Sequence, residues 1–409
     1  MNIVLRLAWR NLWRHPKRTW LTTGAMVFSN ILLIFMMSFQ FGMYQLMIEN
    51  TLQMFTGHVQ VQAPHYLDDK KMRQTVANIV PLADSLREEL NSDRVAARSL
   101  AFALASSDER TYGIAIYGVE PNFEPKVSTI PGLIKEGSYL SDSAANDIVI
   151  GSVLARNLKV EVGGELTLLG SGVDGSFAAT VAVVKGIFDS GVTEIDRNIA
   201  QIPMGLFDDT FFMQGAGHQV SIFGEDLEDV TRVQTAVRAL LPKDQNLVVP
   251  DWTQLEPGLK QAIQADMGSS FFMYFILVVL VAFSVLNTQL MSVLERTREF
   301  GIVMALGLKP GRMGRLVILE TAMMGALGTI LGMLFGALVT LWVGRVGFTI
   351  PGMDEMAAQF NLPSLLFPQL TVLSLTVGPS IVFAFTLLAA LYPAIRLHWL
   401  HPVEAMRAA

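Results

Sequence analysis

Four uncharged or nearly uncharged apolar runs, residues 20–48, 268–293, 316–344 and 366–392, punctuate this 409-residue chain. Each is as long as the ~20 residues that carry an α-helix across a bilayer core, so each predicts a membrane-spanning helix. The third run holds one charge, Glu320, about one turn in from its start. Between the first two runs the pattern changes. "GHVQVQA" (57–63), "AARSLAFALAS" (96–106), "TYGIAIYGV" (111–119), "DIVIG" (147–151), "GELTLLG" (164–170) and "SFAATVAVVKGIF" (176–188) alternate or are β-rich, and predict strands. Helical spacing covers 68–92, where Pro81 predicts a break or bend, and a later segment reads strand (218–224), helix (225–241), strand (246–252), helix (256–266). The fold class is therefore a membrane protein: four transmembrane helices plus a large α+β extracytoplasmic domain, 49–267, inserted between helices 1 and 2, with room for two lobes.

Composition agrees, with 51% hydrophobic and 16% charged residues, against about 25% charged in soluble domains. The first run spans 29 residues behind a basic start, too long for the ~7–15 residues of a signal-peptide core, and predicts an uncleaved anchor. Segments 1–19, 294–315 and 393–409 together hold 12 Lys and Arg against 3 acidic residues, whereas 49–267 holds 17 against 30. The positive-inside rule then places both termini and the 294–315 loop in the cytoplasm. The acidic domain and the short loop 345–365 fall on the far side, which in a bacterial inner membrane is the periplasm. Segment 1–19 predicts a cytoplasmic amphipathic helix, with Arg6, Arg10 and Arg14 at four-residue spacing and Leu5, Trp9, Leu12 and Trp13 on other faces. Such a helix suits a lipid surface, and its charges equally serve as topology signals.

Candidate chemistry is sparse. The absence of cysteine excludes disulfides, thiolate catalysis and cysteine-bound zinc, and the six histidines form no H-E-x-x-H and no ligand-spaced cluster. No G-x-S-x-G elbow is present. "GSGVDG" (170–175) matches G-x-G-x-x-G, but a β run follows it where a phosphate-binding helix would be needed, so a hairpin loop is expected. No catalytic residue, metal, cofactor or nucleic-acid partner is predicted for this chain. Gly325, Gly328, Gly332 and Gly336 put small surfaces on one face of the third span, suited equally to packing within the chain and to a dimer seam. Pro379 predicts a kink in the fourth span, and Glu320 is expected to pair at the interface with Arg315 or Arg312.

Three stretches, "LAWRNLWRHPKRTWLT" (7–22), "ERTREFGIVMALGLKPGRMGRLVILE" (295–320) and "LYPAIRLHWLHPVEAMRA" (391–408), resemble the cytoplasmic signatures of the FtsX-like, MacB-type permeases of ABC transporters. The family pattern behind the second, E-R-x-R-E-I-G-I-x-x-A-L-G, is departed from only at Phe300. The third matches Y-P-A at Tyr392 to Ala394 and D-P-V-E-A-L-R with His401 and Met406 substituted. "DIVIGSVLARNLKVEVGGELTL" (147–168) and "VVKGIFDSGVTEID" (183–196) resemble the family's periplasmic core domain, while "GHVQV" and "DWTQLEPGL" lean toward its LolC/LolE-like branch.

The resemblance implies a permease subunit without enzymatic activity. It would pair with a second permease, identical or homologous, and with two copies of an ABC ATPase that binds the ATP and Mg. This chain has neither G-x-x-x-x-G-K-[ST] nor L-S-G-G-Q. The 294–315 segment would be the coupling element. Glu295, Arg296, Arg298 and Glu299 would meet the ATPase, with Phe300, Gly301, Ala305, Leu306 and Gly307 completing that interface. Lipoprotein release, or export of another hydrophobic substrate, follows for the LolC/LolE-like branch. A FtsX- or MacB-like subunit would instead drive a periplasmic or outer-membrane partner with nothing passing through the membrane. A non-ABC membrane enzyme or receptor lacks a catalytic constellation to support it.

Overall fold

In a computed structural model the described residues are 3–14, 16–141, 145–224, 227–242, 245–306, 308–349 and 365–399. They belong to two compact units, a helical one (up to Gln45, Ile263–Thr349 and from Leu365) and an α/β one (Leu46–Ala262).

Among the described residues, four helices are long and apolar enough to cross a membrane: Pro16–Thr51, Pro257–Glu295, Pro310–Val346 and Val372–Arg396. Three open on a proline, whose missing N–H costs nothing at the first helical position. The second long helix has 39 residues, about 58 Å at 1.5 Å per residue, and so outruns the ~30 Å hydrocarbon layer. Several expected boundaries move, and the helix expected at 256–266 is the start of Pro257–Glu295, with no break before the apolar run. Segment 1–19 is not one helix, because Ile3–Leu12 ends before Pro16 opens the first long helix. The fourth long helix starts at Val372 and not at Leu366. Pro368 disfavours helix at the residue before it, Leu366 bridges to Phe348, and Thr371 and Ser374 form a capping box that sets the start. The helix then runs through Pro379 and Pro393 to Arg396.

The first long helix is central to this unit. Met26, Leu33 and Met37 share a core with Val278, Val281 and Val285 of the second and Val382 of the fourth. Further along, Gln40 Nε2 donates to Ser270 Oγ at 2.6 Å, the Tyr44 hydroxyl to Asp266 Oδ2 at 2.6 Å and the Tyr274 hydroxyl to Gln40 Oε1 at 2.7 Å. These bonds clasp the first long helix to the second.

The α/β unit has nine strands: β1 (Val59–Gln62), β2 (Val95–Ser106), β3 (Thr111–Val119), β4 (Ile134–Gly137), β5 (Asp147–Gly151), β6 (Glu165–Ser171), β7 (Phe177–Phe188), β8 (Ile199–Pro203) and β9 (Gln219–Ile222). Their order is β1-β9-β2-β3-β8-β5-β7-β4, and β6 pairs with both β2 and β7. The β6 pairings therefore close β2, β3, β8, β5, β7 and β6 into a ring. Alternate residues fill it, among them Ala101, Ala103, Ile116, Ile148, Leu166, Ala182 and Ile202. A second core lies under β1, β9 and the start of β2, where Val59, Val95 and Val220 meet Ile79, Leu86 and Val237 from two helices. The two lobes thus share one strand, β2.

Strands β4 and β8 escape the sequence pattern. The first is a four-residue polar edge and the second five residues ending in proline, so each depends on its partners more than on its own residues. Segment 246–252, expected as a strand, forms only isolated bridges from Val248 and Asp251 to β1. Pro250 between them has no N–H to extend a ladder. Pro81 does not break a helix; it sits in the first turn of Ile79–Leu90, where the N–H that proline lacks would have had no helical partner. "GSGVDG" forms the β6–β7 hairpin loop, with Gly172 N–H donating to Ser176 O at 2.9 Å and Gly175 at φ 88°.

Several buried polar groups of the unit are paired inside it. Arg98, fully buried on β2, forks onto both carboxylate oxygens of Glu124 at 2.9 Å. Gln201 Nε2 adds a bond to Glu124 at 3.2 Å. His58 accepts from Gly224 N–H at 3.1 Å. His218 Nδ1 accepts from Leu100 N–H at 3.1 Å, which puts its proton on Nε2, 3.2 Å from Met72 O. Burial pushes the His218 imidazole down to about 4, against the contrary pull of Met72 O.

The folded protein thus keeps His218 neutral where the unfolded chain, at about 6.5, takes up a proton. Stability should therefore fall as pH drops through 6.5 toward 4, by on the order of 3 kcal/mol from this group. The unfolding midpoint of the detergent-solubilised chain at pH 7.5 and 4.5 measures it. The variant His218→Gln should lose distinctly less on acidification, and equal losses would assign the effect elsewhere.

Candidate functional site

Between Glu295 and Pro310 the chain leaves one long helix and enters the next through a short helix, Thr297–Ala305. Arg296 breaks the helical path at φ −98° and ψ 9°, and Lys309 is extended ahead of Pro310. The short helix is fixed on one face. Phe300 and Met304, one turn apart, are buried with Gly301, and Phe300 joins a core of Val293, Met313, Val317 and Leu397. The other face carries Arg298, Ala305, Ile302 (48% exposed) and Leu306 just beyond it (83% exposed).

The charges divide in the same way. Arg296 turns inward, its guanidinium 4.9 Å from the Phe300 ring centre and its Nη1 3.1 and 3.3 Å from the two oxygens of Glu320. Asn11 Nδ2 of the N-terminal helix donates to the same carboxylate at 2.6 Å. Glu299 is more exposed, and both its oxygens meet Arg14, at 2.9 and 3.1 Å. Three sequence-distant pieces therefore converge on one node.

Glu320 does not pair with Arg315 or Arg312, both of which are exposed. Five and eight residues along a helix lie outside the three- and four-residue steps that bring side chains together. Of the residues singled out for ATPase contact, Arg296, Phe300 and Gly301 serve the interior, while Glu295, Arg298, Glu299, Ala305 and Leu306 lie on the outside. Gly307 falls outside the described residues. Asn11, Met304 and Leu397 carry the node without having stood out in the sequence, and Arg14, expected on a lipid-facing basic stripe, pairs with Glu299 instead. For Asn11 the available signal was a lone amide among apolar and basic neighbours.

The glycine stripe packs within the chain. A Cβ on Gly328, Gly332 or Gly336 would meet the side chains of Met26, Asn30 and Ile34 at 2.8, 2.5 and 2.8 Å, so successive turns of the third long helix lie directly on successive turns of the first. Gly325 faces Phe383 of the fourth instead, 3.1 Å from the same virtual atom. On the N-terminal helix Ala8 and Leu12 are buried, while Trp9 on it and Trp13 just beyond it are exposed and continue edge-to-face to Trp20 with ring centres 6.0 and 6.2 Å apart.

Four long apolar helices, an α/β unit and a braced turn between two of the helices define a multi-pass membrane protein. The profile of the MacB-like periplasmic core domain matches residues 19–240, and that of the FtsX-like permease C-terminal region matches 271–402. The chain belongs to this family, the FtsX-like, MacB-type permeases of ABC transporters. It is 27% identical over 340 residues to the lipoprotein-releasing system transmembrane protein LolC of Xylella fastidiosa (strain Temecula1), covering 75% of this chain and 80% of that one. Against the lipoprotein-releasing system transmembrane protein LolE of Haemophilus influenzae it is 22% identical, covering 74% of each. Among solved structures, the extracellular domain of the ABC-type transporter YknZ from Gram-positive bacteria aligns with 47% of this chain and 99% of that one, at 14% identity and a TM-score of 0.36.

Replacing one partner of a buried ion pair strands the other, at about 3–5 kcal/mol, while removing both costs much less. Arg296→Met should accordingly lower the melting temperature in detergent more than the double change Arg296→Met with Glu320→Leu. A double variant no better than the single one would dissociate the pair from stability. Gly332→Ile should destabilise by about 1–3 kcal/mol through overpacking against Asn30. Gly268→Ala, with nothing within 4 Å of its virtual Cβ, is the control that should melt no lower than the parent protein.

Proposed function

We propose that this chain is a lipoprotein-releasing permease of the LolC/LolE type, driven by a separate ABC ATPase that docks on the 294–315 segment. The observation that carries the docking site is the outer face of the short helix. Leu306 and Ile302 stand exposed beside Arg298, while the inner face of the same helix is braced by Phe300, Met304 and the Arg296–Glu320 pair. A short element rigidly joined to two long helices and bare on one side suits the receipt of force from a folded partner.

In this reading the termini and the short helix are cytoplasmic, by the positive-inside rule, and the α/β unit is periplasmic. The exposed tryptophan row along Trp9, Trp13 and Trp20 sits at the lipid interface. Closure of the ATPase pair moves the short helix, and the second long helix, without proline or glycine from Ser269 to Val293, transmits the shift. The substrate class rests on the names of the relatives, which are lipoprotein-releasing proteins over three quarters of this chain.

Leu306→Asp is the test of choice, since Leu306 is 83% exposed whereas Glu299 also holds Arg14. Losing an apolar contact of ~1.5–3 kcal/mol should weaken association with the co-expressed ATPase by at least about tenfold, with the melting temperature unchanged. Full co-purification and full substrate-stimulated ATPase activity would remove this docking assignment. Mass spectrometry of the complex from mild detergent decides the substrate class, because an acylated protein supports release and a soluble periplasmic partner alone supports mechanotransmission.

A further inference from the structure

Strands β3 and β8 run parallel with Val119 opposite Pro203, so the residues that follow them, Glu120 and Met204, leave the sheet side by side. The carboxyl ends of parallel strands are where sheets commonly leave room for ligands. A cleft of about 370 Å³ lies here, within the ~300–1,000 Å³ typical of small-molecule sites. Ile79, Val80, Phe123 and Met204 give it apolar walls. Glu120 and Asp208 bring the only charges to those walls, and among the described residues no cation lines them.

Glu120 is a nearly buried acceptor with one oxygen to spare. Its Oε2 accepts from the Arg87 guanidinium and from Ala97 N–H, the latter at 2.7 Å. Among the described residues Oε1 has no hydrogen-bond partner, and the side chain keeps 10% of its surface open. Burial outweighs the pull of Ala97 and Arg87 and holds this carboxyl above its usual range, so its anion is under-compensated. Asp208 is half-buried, its Oδ1 accepts Gly215 N–H at 2.8 Å, and no cation among the described residues pairs with it.

The neighbouring cations are already committed. The Arg87 guanidinium is divided between Asp84 and Glu120 and lies 3.4 Å from the Phe123 ring centre. Lys126, 5.4 Å from the same ring centre, pairs with Asp93 at 2.7 Å. Asp208 and the second oxygen of Glu120 are left over. A metal ion would find two carboxylates among apolar walls, and the described residues hold no group of three His, Cys, Asp or Glu to ligate one. An ammonium on an aliphatic stem meets both the charge and the walls.

We propose that this cleft binds a primary alkylammonium, whose N–H groups donate to Glu120 Oε1 and to Asp208 while its stem lies along Ile79, Val80 and Met204. The surplus of acidic residues over 49–267 draws such cations toward the unit. A free amine and a peptide-borne lysine side chain offer the same chemistry, and the test separates them. The site lies wholly within the α/β unit and depends neither on ATPase docking nor on the substrate class.

The full-length protein in phosphatidylcholine nanodiscs is titrated with pentylamine, with N-acetyl-lysine N-methylamide and with pentanol, the neutral isostere, and binding is read by saturation-transfer NMR. An ammonium is expected to bind at least about tenfold more tightly than pentanol, the worth of a charge-assisted hydrogen bond. Binding of pentylamine alone identifies a free amine, of the lysine derivative alone a peptide-borne one, and of both the shared chemistry; each supports the site. Asp208→Asn, which keeps an acceptor for Gly215 N–H, should weaken ammonium binding by about tenfold. Asp209→Asn, at the exposed next position outside the cleft, should leave it unchanged. Ala216→Leu, filling the cleft from a half-buried position, should abolish it at an unchanged melting temperature. Failure of both ammonium probes to bind overturns the proposal, as does pentanol binding equally well. Equal weakening by Asp208→Asn and Asp209→Asn also overturns it, because general surface charge would then be the cause.

Discussion

A carboxylate inside an apolar helix must find a cation or lose its charge, and the helical unit is organised around that demand at Glu320. Its side chain is 8% exposed, too buried for water to compensate it. The cation comes from Arg296, which can reach only because the chain breaks its helical path there before starting the short helix. The short helix is then oriented by the same residue, with Phe300 under the guanidinium and Leu306 left outside. Asn11 draws the N-terminal helix to the same carboxylate, and Glu299 repeats the tie through Arg14. A segment that reads as an isolated charged loop is in fact cross-braced to two other pieces of chain.

The bundle beyond that node depends on close approach. In lipid no hydrophobic force gathers apolar helices, so contact area and hydrogen bonds must do it. Gly328, Gly332 and Gly336 let the third long helix lie on the first, and Gly378 of the fourth makes room for Leu33. The first long helix therefore contacts the other three. At its far end the Gln40, Tyr44 and Asp266 clasp holds it to the second. A rigid assembly of this kind transmits displacement along its length, the property the proposed coupling requires.

The α/β unit solves a different problem. Strand β2 takes part in both cores, and β6 closes the ring by pairing on both sides. The buried Arg98–Glu124 pair lies on the face of β2 opposite Ala97 and Ala101, where Gln201 and Ser221 complete its bonds.

Run length and charge bias by themselves determined that the chain has four long apolar helices, and period-two alternation located β2, β3, β5, β6 and β7, because each of these signals resides in neighbouring residues. The glycine spacing was legible in the same way, but whether it served this chain or a second one was not, since Met26, Asn30 and Ile34 lie some 300 residues earlier. Only the tertiary structure assigned Glu320 to Arg296 and Asn11, turned Phe300 inward and Leu306 outward, closed the ring through β6 and stacked Tyr66 on His218. Such pairings depend on which distant segments share a neighbourhood, and local periodicity carries no record of that.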